Sequence, residues 1–482
     1  MTRVVIGPFN RVEGDLEVTL DVDDGSVRAA YVNSPLYRGF EQILLGKAPM
    51  DALVLVPRVC GICSVAQSSA AALALADAMG LAPPANGRIA ANLVLAAENL
   101  ADHLTHFYLF FMPDFARAEY ADRPWYGEAI TRFKTVTGNG PRQMLPARAA
   151  FLGLMGVLAG KWPHTLALQP GGTTRPALAA DVVHLYVQLR EFRAFLEGTL
   201  FGDRLEAVVA LGSLAALMAW SEDAKPAASD FGRFLRIAGN LELWRLGRAT
   251  DVFMSYGAYP LVEAGERLFA AGVWDGALSP LDDGDIAEDI SHAWLAGEGA
   301  PRHPKRGITL PQADKENAYT WCKAPRLGGR VVEVGALARQ VVASHPLARD
   351  LVAHHGGNVF ARVVMRLVEI ARLVPIMEAW AQSLEPGAPF CHHGAMPDEA
   401  EGVGLVEAAR GSLGHWLRVK AGRIENYQII APTTWNFSPR DGAGTPGALE
   451  QALVGLAMDE SPPAAVQHIV RSFDPCMVCT VH

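Results

Sequence analysis

Four of the six cysteines fall into two pairs. Cys60 and Cys63 stand in Arg58-Val-Cys60-Gly-Ile-Cys63-Ser, and Cys476 and Cys479 stand in Asp474-Pro-Cys476-Met-Val-Cys479-Thr-Val-His482. A C-x-x-C turn brings two sulfurs close enough to chelate one metal. Two such turns supply four thiolates, which suit zinc, iron–sulfur or a soft late transition metal. The pairs lie at opposite ends of the 482-residue chain. Closure entropy grows only logarithmically with loop length, so this is no obstacle if the fold holds both ends together. Spacing alone leaves structural zinc, a redox disulfide and a catalytic metal all open. The charged neighbours favour catalysis, because a zinc knuckle needs no Arg58, no Asp474 and no terminal His482.

The elements that must position these pairs are mostly helical. Residues 3–34 predict short strands that turn at Asp23, Asp24 and Gly25. Helical patterns cover 86–112, 177–201, 205–219 and 229–247. Residues 357–384 predict one long helix, apolar except for Arg362, Arg366, Glu369 and Arg372; such a helix belongs in a core or bundle. Residues 414–430 predict a hairpin turning near Gly422, and the last helices are expected at 446–457 and 462–471. Residues 275–330 are rich in Gly, Pro, Asp and His and predict an irregular excursion at the surface. No linker divides the chain. The expected fold is mainly α (α+β), a central long-helix bundle with small N-terminal and C-terminal β elements. Residues 1–482 are expected to form a single intertwined domain in which the two C-x-x-C segments meet.

Half of the residues are hydrophobic and 19% are charged, an apolar balance that suggests extensive burial, including against a partner. The net charge is −9 and no long basic run occurs, which argues against nucleic acid as a ligand. The most apolar stretch, Ala149–Gly160, is too short to span a membrane. The N-terminus has no apolar signal core, so a cytoplasmic location is expected, although a partner bearing a signal could carry the chain across a membrane.

Arg-x-Cys-Gly-x-Cys near the start and Asp-Pro-Cys-x-x-Cys-x-x-His at the end resemble the paired signatures of the nickel–iron hydrogenase large subunit. Further segments resemble the same family in the same order. They are Arg11-Val-Glu13-Gly14, Arg38-Gly-Phe-Glu41, Gly160-Lys-Trp-Pro-His164 with Pro170-Gly-Gly, and Trp321-Cys-Lys-Ala-Pro-Arg326. Glu407-Ala-Ala-Arg410-Gly-Ser-Leu-Gly-His415-Trp416 and Asn426-Tyr-Gln-Ile-Ile-Ala-Pro432-Thr-Thr-Trp435-Asn436 follow.

The resemblance implies heterolytic splitting of H2 at a nickel held by Cys60, Cys63, Cys476 and Cys479. Cys63 and Cys479 would bridge to an iron carrying one carbon monoxide and two cyanides. Splitting hydrogen needs a metal that accepts a hydride and a nearby base that accepts the proton. Glu13 is the candidate for proton transfer; the alternative is a structural salt bridge to Arg11 or Arg58. Arg410 would stand over the metals and hold one cyanide, and Thr433 the other. Asp474 would orient Arg410, and Asp102 would join that canopy. Beside Asp102, His103 and His106 are expected in the core or an interface. Magnesium would be bound by Glu41, His482 and the Ile429 carbonyl. The His354/His355 and His392/His393 doublets are expected to face solvent or cap helices. Only Cys322 and Cys391 remain, too few for a typical cluster, so an iron–sulfur small subunit is implied to take the electrons.

The chain departs from the family at several positions. Gln67 stands where His is usual, Asp15 where the RxEGH pattern ends in His, and Ala409 where Pro usually precedes the arginine. Ile62 and Phe110 replace the Val and Leu that line the gas path in many members. The chain also stops at His482, where many precursors carry a cleaved tail; either it is a trimmed form or no tail was encoded. Gln67, Ile62, Phe110 and the missing tail resemble the regulatory subgroup, which senses hydrogen, turns over slowly, tolerates oxygen and reports to a histidine kinase. An uptake or bidirectional hydrogenase is the alternative. A metal-free quinone-reducing relative is disfavoured by the four intact cysteines.

Overall fold

In the computed structural model, residues 2–261, 265–297, 300–458 and 464–480 are described. The N-terminal meander is β1 (Thr2–Ile6), β2 (Glu17–Asp23) and β3 (Ser26–Asn33), in the order β1-β2-β3 and antiparallel throughout. Asp24 and Gly25 turn it with φ of 48° and 66°, the left-handed pair that a tight hairpin requires. Between β1 and β2 the chain makes the excursion that carries Arg11, Glu13 and Gly14.

Helix α1 (Ser64–Met79) starts directly at Cys63, its N-cap, and stops at Gly80 in the left-handed conformation. Helix α2 (Ala85–Thr105) carries Glu98, Asp102 and His103 on buried positions. It does not end at 112 as a regular helix. It passes into a π-helical turn, His106–Phe111, and then a 3-10 turn, Met112–Ala116. Helix α3 (Ala179–Phe195) likewise closes in a π-helical turn, Leu196–Phe201. The expected helix 205–219 is two pieces, Leu205–Val209 and Leu214–Glu222. Ser213 restarts the second by accepting from the Ala216 N–H at 3.2 Å. Helix α4 (Asp230–Asn240) is shorter than the 229–247 pattern, which ends instead in a 3-10 turn at Leu243–Arg245.

The centre of the molecule is α5 (Val359–Ser383), capped by Asn358, whose Oδ1 accepts from the Ala361 N–H at 2.9 Å. Two of its charged residues, Arg362 and Glu369, are buried and paired. Arg362 forks onto Glu333 at 2.8 and 2.7 Å. Glu369 receives the fully buried Arg339 at 3.0 and 2.7 Å and His103 at 3.1 Å. A polar group deep in a core costs little only when it is satisfied in this way.

Near the C-terminus the expected hairpin is a three-stranded antiparallel sheet of β4 (Ala400–Ala408), β5 (Gly411–Lys420) and β6 (Arg423–Ile430). The additional strand is β4. Its Gly402 and Gly404 press on α1 so closely that a Cβ would sit 2.0 Å from the carbonyl oxygens of Ala74 and Ala70. The alanines of α1 supply the matching small face, so helix and sheet backbones nearly touch. The last helix, α6 (Ala464–Ser472), leads into the terminal cysteines.

Residues 275–330 correct the expectation of a surface excursion. They contain two paired strands, Ile286–Asp289 and Ala324–Leu327, and bury Glu288, Lys323 and Arg326. The charges there are inside because they are paired, Lys323 with Glu41 and Glu288 and Arg326 with Asp441. The mainly helical class with small N- and C-terminal sheets is as the sequence predicted.

Candidate metal centre

Cys60 follows a 3-10 turn at Val56–Val59, and Cys63 N–H donates to Cys60 Sγ at 3.3 Å. Cys479 closes a 3-10 turn that begins just after Cys476. The two turns face each other across a parallel bridge between Glu13 and Cys476, in which Met477 N–H donates to the Glu13 carbonyl at 2.7 Å. Gly14 is required here. Its φ is 82°, and a Cβ would lie 3.0 Å from the Val478 nitrogen.

All four sulfurs lie within 4.8 Å of one another and are buried. Cys60 and Cys476 are 3.4 Å apart, Cys63 and Cys479 3.2 Å, and Cys476 and Cys479 3.1 Å. Burial pushes the Cys476 and Cys479 thiols up. Cys63 is raised as well, by the hydrogen bonds it gives its neighbours. Cys60 is held down against burial by hydrogen bonds from the other three. Four buried, mutually bonded sulfurs form a donor set fitted to a soft late transition metal.

Over this cluster stands Arg410. It donates from Nη2 to Asp474 Oδ1 at 3.1 Å and from Nε to the Asp474 carbonyl at 2.9 Å, and it forks onto both oxygens of Asp102. All three side chains are buried. Burial pushes Asp102 up to about 7, against the pull of Arg410. Burial also opposes ionising Asp474, but Arg410, His106 and Arg366 hold it below its ordinary value. Asp474 Oδ2 is buried without a hydrogen-bond partner among the described residues. Thr433 Oγ1 accepts from the Cys476 N–H at 3.1 Å.

Glu13 is half-buried, and burial followed by the charge on Cys60 raises its pKa. The two arginines proposed to pair with it are engaged elsewhere. Arg11 turns to Asp114 and the Phe110 carbonyl, and Arg58 to the Val54 carbonyl.

Glu41 is buried against Lys323 at 3.1 Å, Thr309, and the Ile429 N–H at 2.8 Å. Lys323 also reaches Gln428 Oε1 at 2.7 Å and Glu288 at 3.3 Å. Glu41 and Ile429 are thus neighbours, with the amide of Ile429 turned to the carboxylate. His482 lies outside the described residues. Lys323 and Glu288 were missed as a pair. Lys323 sits in the Trp321–Arg326 segment, whereas nothing local marks Glu288.

Gln67 is buried on α1, and its Oε1 accepts from His415 Nε2 at 2.9 Å; His415 Nδ1 meets the Tyr427 hydroxyl at 2.9 Å. Gln67 is thus held by an imidazole of β5. Ile62 and Phe110 are both half-buried. Glu98 was also missed. Its carboxyl accepts from the Val65 and Ala66 N–H groups at 2.9 Å each and from Trp162 Nε1 at 2.8 Å. It thereby ties the first cysteine loop to the Gly160–His164 segment. His103 and His106 lie in the core, and His354, His355, His392 and His393 are exposed. Cys322 and Cys391 do not join the thiol group among the described residues.

The sequence model of the family described as nickel-dependent hydrogenase matches residues 38–122 and 231–482. The chain belongs to the nickel-dependent hydrogenase family. It is 30% identical to the periplasmic [NiFeSe] hydrogenase large subunit of Desulfomicrobium baculatum, over 100% of this chain and 95% of that one. It is 27% identical to the hydrogenase-2 large chain of Escherichia coli (strain K12), over 100% and 97%. Its fold superimposes on the reduced Ni-Fe-Se hydrogenase of D. vulgaris Hildenborough with a TM-score of 0.84 at 31% identity, covering 100% of both chains. The chain is accordingly the large subunit of a [NiFe]-hydrogenase, an oxidoreductase acting on H2, and as a large subunit it pairs with a small one. The zinc-knuckle and redox-disulfide readings of the cysteines fall with that assignment. Among the described residues no helix is long and apolar enough to cross a membrane.

Proposed function

We propose that this hydrogenase is a hydrogen sensor of low turnover, located in the cytoplasm, whose iron–sulfur small subunit passes the signal towards a histidine kinase. The observation that carries this reading is Gln67. It is buried one turn along α1 from Cys63 and bonded to His415, where the family has an imidazole. Half-buried Ile62 and Phe110, bulkier than the usual Val and Leu, support a narrowed gas path and hence oxygen tolerance.

Residues 1–482 act as one intertwined unit. Cys60, Cys63, Cys476 and Cys479 would hold the nickel–iron centre, whose iron would carry one carbon monoxide and two cyanides. When bound, this centre supplies the electron-rich metal pair at which H2 is polarised and split heterolytically. Arg410 lies where its guanidinium can orient hydrogen and hold one cyanide, and Thr433 can hold the other. Asp474 and Asp102 fix the plane of Arg410. Glu13 accepts the proton at its carboxylate, since burial and the charge on Cys60 raise its pKa and make it a stronger base than an ordinary carboxylate. Glu41, the Ile429 carbonyl and His482 would hold magnesium, and Lys323 meets the charge of both Glu41 and Glu288. Electrons leave through clusters of the small subunit, because Cys322 and Cys391 cannot hold one.

The second reading, a metabolic uptake or bidirectional enzyme, is favoured by the names of relatives such as the E. coli hydrogenase-2 large chain. Hydrogen-driven dye reduction by the heterodimer, before and after air, separates the two. A slow rate that survives air is expected, and Ile62→Val with Phe110→Leu should make it oxygen-sensitive. Fast activity lost in air in the unaltered protein would favour the metabolic enzyme. Unchanged activity of the double variant after air would sink the gas-path account.

A further inference from the structure

We propose that Asp114 is the positioning residue that sets the terminal thiol pair beside Glu13, by holding both ends of the chain on one buried carboxylate. Asp114 sits in the 3-10 turn Met112–Ala116, just past the π-helical turn that ends α2, and its side chain is fully buried. From the N-terminal arm, Arg11 gives Nη2 to Asp114 Oδ1 and Nη1 to the Phe110 carbonyl at 2.9 Å. From the C-terminal helix α6, Arg471 Nη1 reaches both Asp114 oxygens at 2.7 and 2.8 Å. Its Nη2 crosses to the N-terminal arm, donating to the Asn10 carbonyl at 2.9 Å and to Asn10 Oδ1 at 2.8 Å. Arg117 Nη2 lies 3.1 Å from Oδ1, and His468 Nδ1 lies 3.2 Å from Oδ2.

The two tethered arms are the ones that carry Glu13 and Cys476. Arg11 precedes Glu13 by two residues, and Arg471 precedes Asp474 by three. Their junction is conformationally demanding. Arg11 and Asp474 hold φ of 54° and 59°, the left-handed region that side chains other than glycine avoid. Backbone of this kind persists only where surrounding contacts over-determine it, and the shared carboxylate provides such contacts on both sides. Burial alone would raise the Asp114 pKa, but His468, Arg471 and Arg11 hold it far below the carboxylate range, so the clamp stays charged. Without Asp114, three arginines and a histidine would be left around a buried position with no counter-charge.

The test uses the full heterodimer with Asp114→Asn. The control is Asp230→Asn, which removes another buried carboxylate, bonded to Arg132 and Tyr108 away from the chain ends. Hydrogen exchange of segments 9–14 and 464–480 and nickel per chain are measured. Exchange is repeated on metal-free protein, so that this readout does not depend on what the thiols bind. For Asp114→Asn we expect at least tenfold faster exchange in both segments and nickel below half, with fewer sulfur neighbours at the nickel K-edge in the fraction still loaded. Slow exchange retained in either segment, or full nickel, overturns the proposal. So does an equal effect of Asp230→Asn at a matched loss of melting temperature. If Asp114→Asn does not accumulate, Arg11→Gln removes one tether only. Faster exchange in 464–480 as well as 9–14 then supports the clamp, and an undisturbed 464–480 overturns it.

Discussion

Arg410 shows how one residue type can be required by geometry rather than charge. Its planar fork meets two carboxylates at once, donating to Asp102 through both terminal nitrogens and to Asp474 through Nη2, while Nε takes the Asp474 carbonyl. A lysine keeps the charge but presents a single ammonium and cannot hold both partners in one plane. Arg410→Lys should therefore keep nickel near one per chain while slowing H2/D2 exchange by roughly a hundredfold, the scale of losing one preorganised donor in a water-excluded site. Exchange within a few-fold of the unaltered protein would show that charge alone suffices at this position.

At the scale of the element, α1 matters because it begins at Cys63, one of the four clustered thiols. Its first N–H groups, at Val65 and Ala66, find their acceptor in Glu98 of α2. A carboxyl from another helix thus does the work that an N-cap side chain usually does. Burial pushes Glu98 up to about 8 from an ordinary 4.5, against the pull of those N–H groups and Trp162. A raised pKa favours the neutral form in the folded protein. The stability it contributes is complete below about pH 4.5 and is lost as pH rises towards 8. Glu98→Gln should remove that dependence. Between pH 5 and 8 the unaltered heterodimer should lose melting temperature relative to the variant, at up to about 1.4 kcal/mol per pH unit. Parallel melting curves across that range would mean that Glu98 titrates elsewhere.

For the whole molecule, a metal on the four thiols would join the first and last parts of the chain. A ligand that binds only the folded protein stabilises it by mass action, by roughly 4 kcal/mol at a thousandfold excess over its dissociation constant. Here that stabilisation acts on segments that meet only in the folded state. Nickel removal should therefore lower the melting temperature and speed amide exchange at 464–480 far more than in α5 at the core. Uniform loss of protection would indicate that the site is not the junction that holds the ends.

The two cysteine pairs, the long apolar helix 359–383 and the N-terminal meander could be read from the sequence, because each is a local pattern of spacing or periodicity. The ordered motifs also pointed to the family before any coordinates. Tertiary structure decided the rest. Strand β4 carries Gly402 and Gly404, which weaken a strand pattern locally and are explained only by the backbone of α1 against them. The helix pattern 205–219 hid a restart at Ser213, since apolar periodicity runs on through a break. Glu288 and Lys323 looked like surface charges until paired strands buried them with Glu41. Gln67 read as a lost imidazole, and only the fold shows that His415 of β5 holds it. Asp114 carried no signal at all. Its importance lies in Arg11 and Arg471, which are far from it in sequence, and ion pairs across such separations leave no local trace. Short-range patterns and motif order were therefore written in the sequence. Which buried charges meet was settled only when the fold closed, because burial makes each such pairing obligatory.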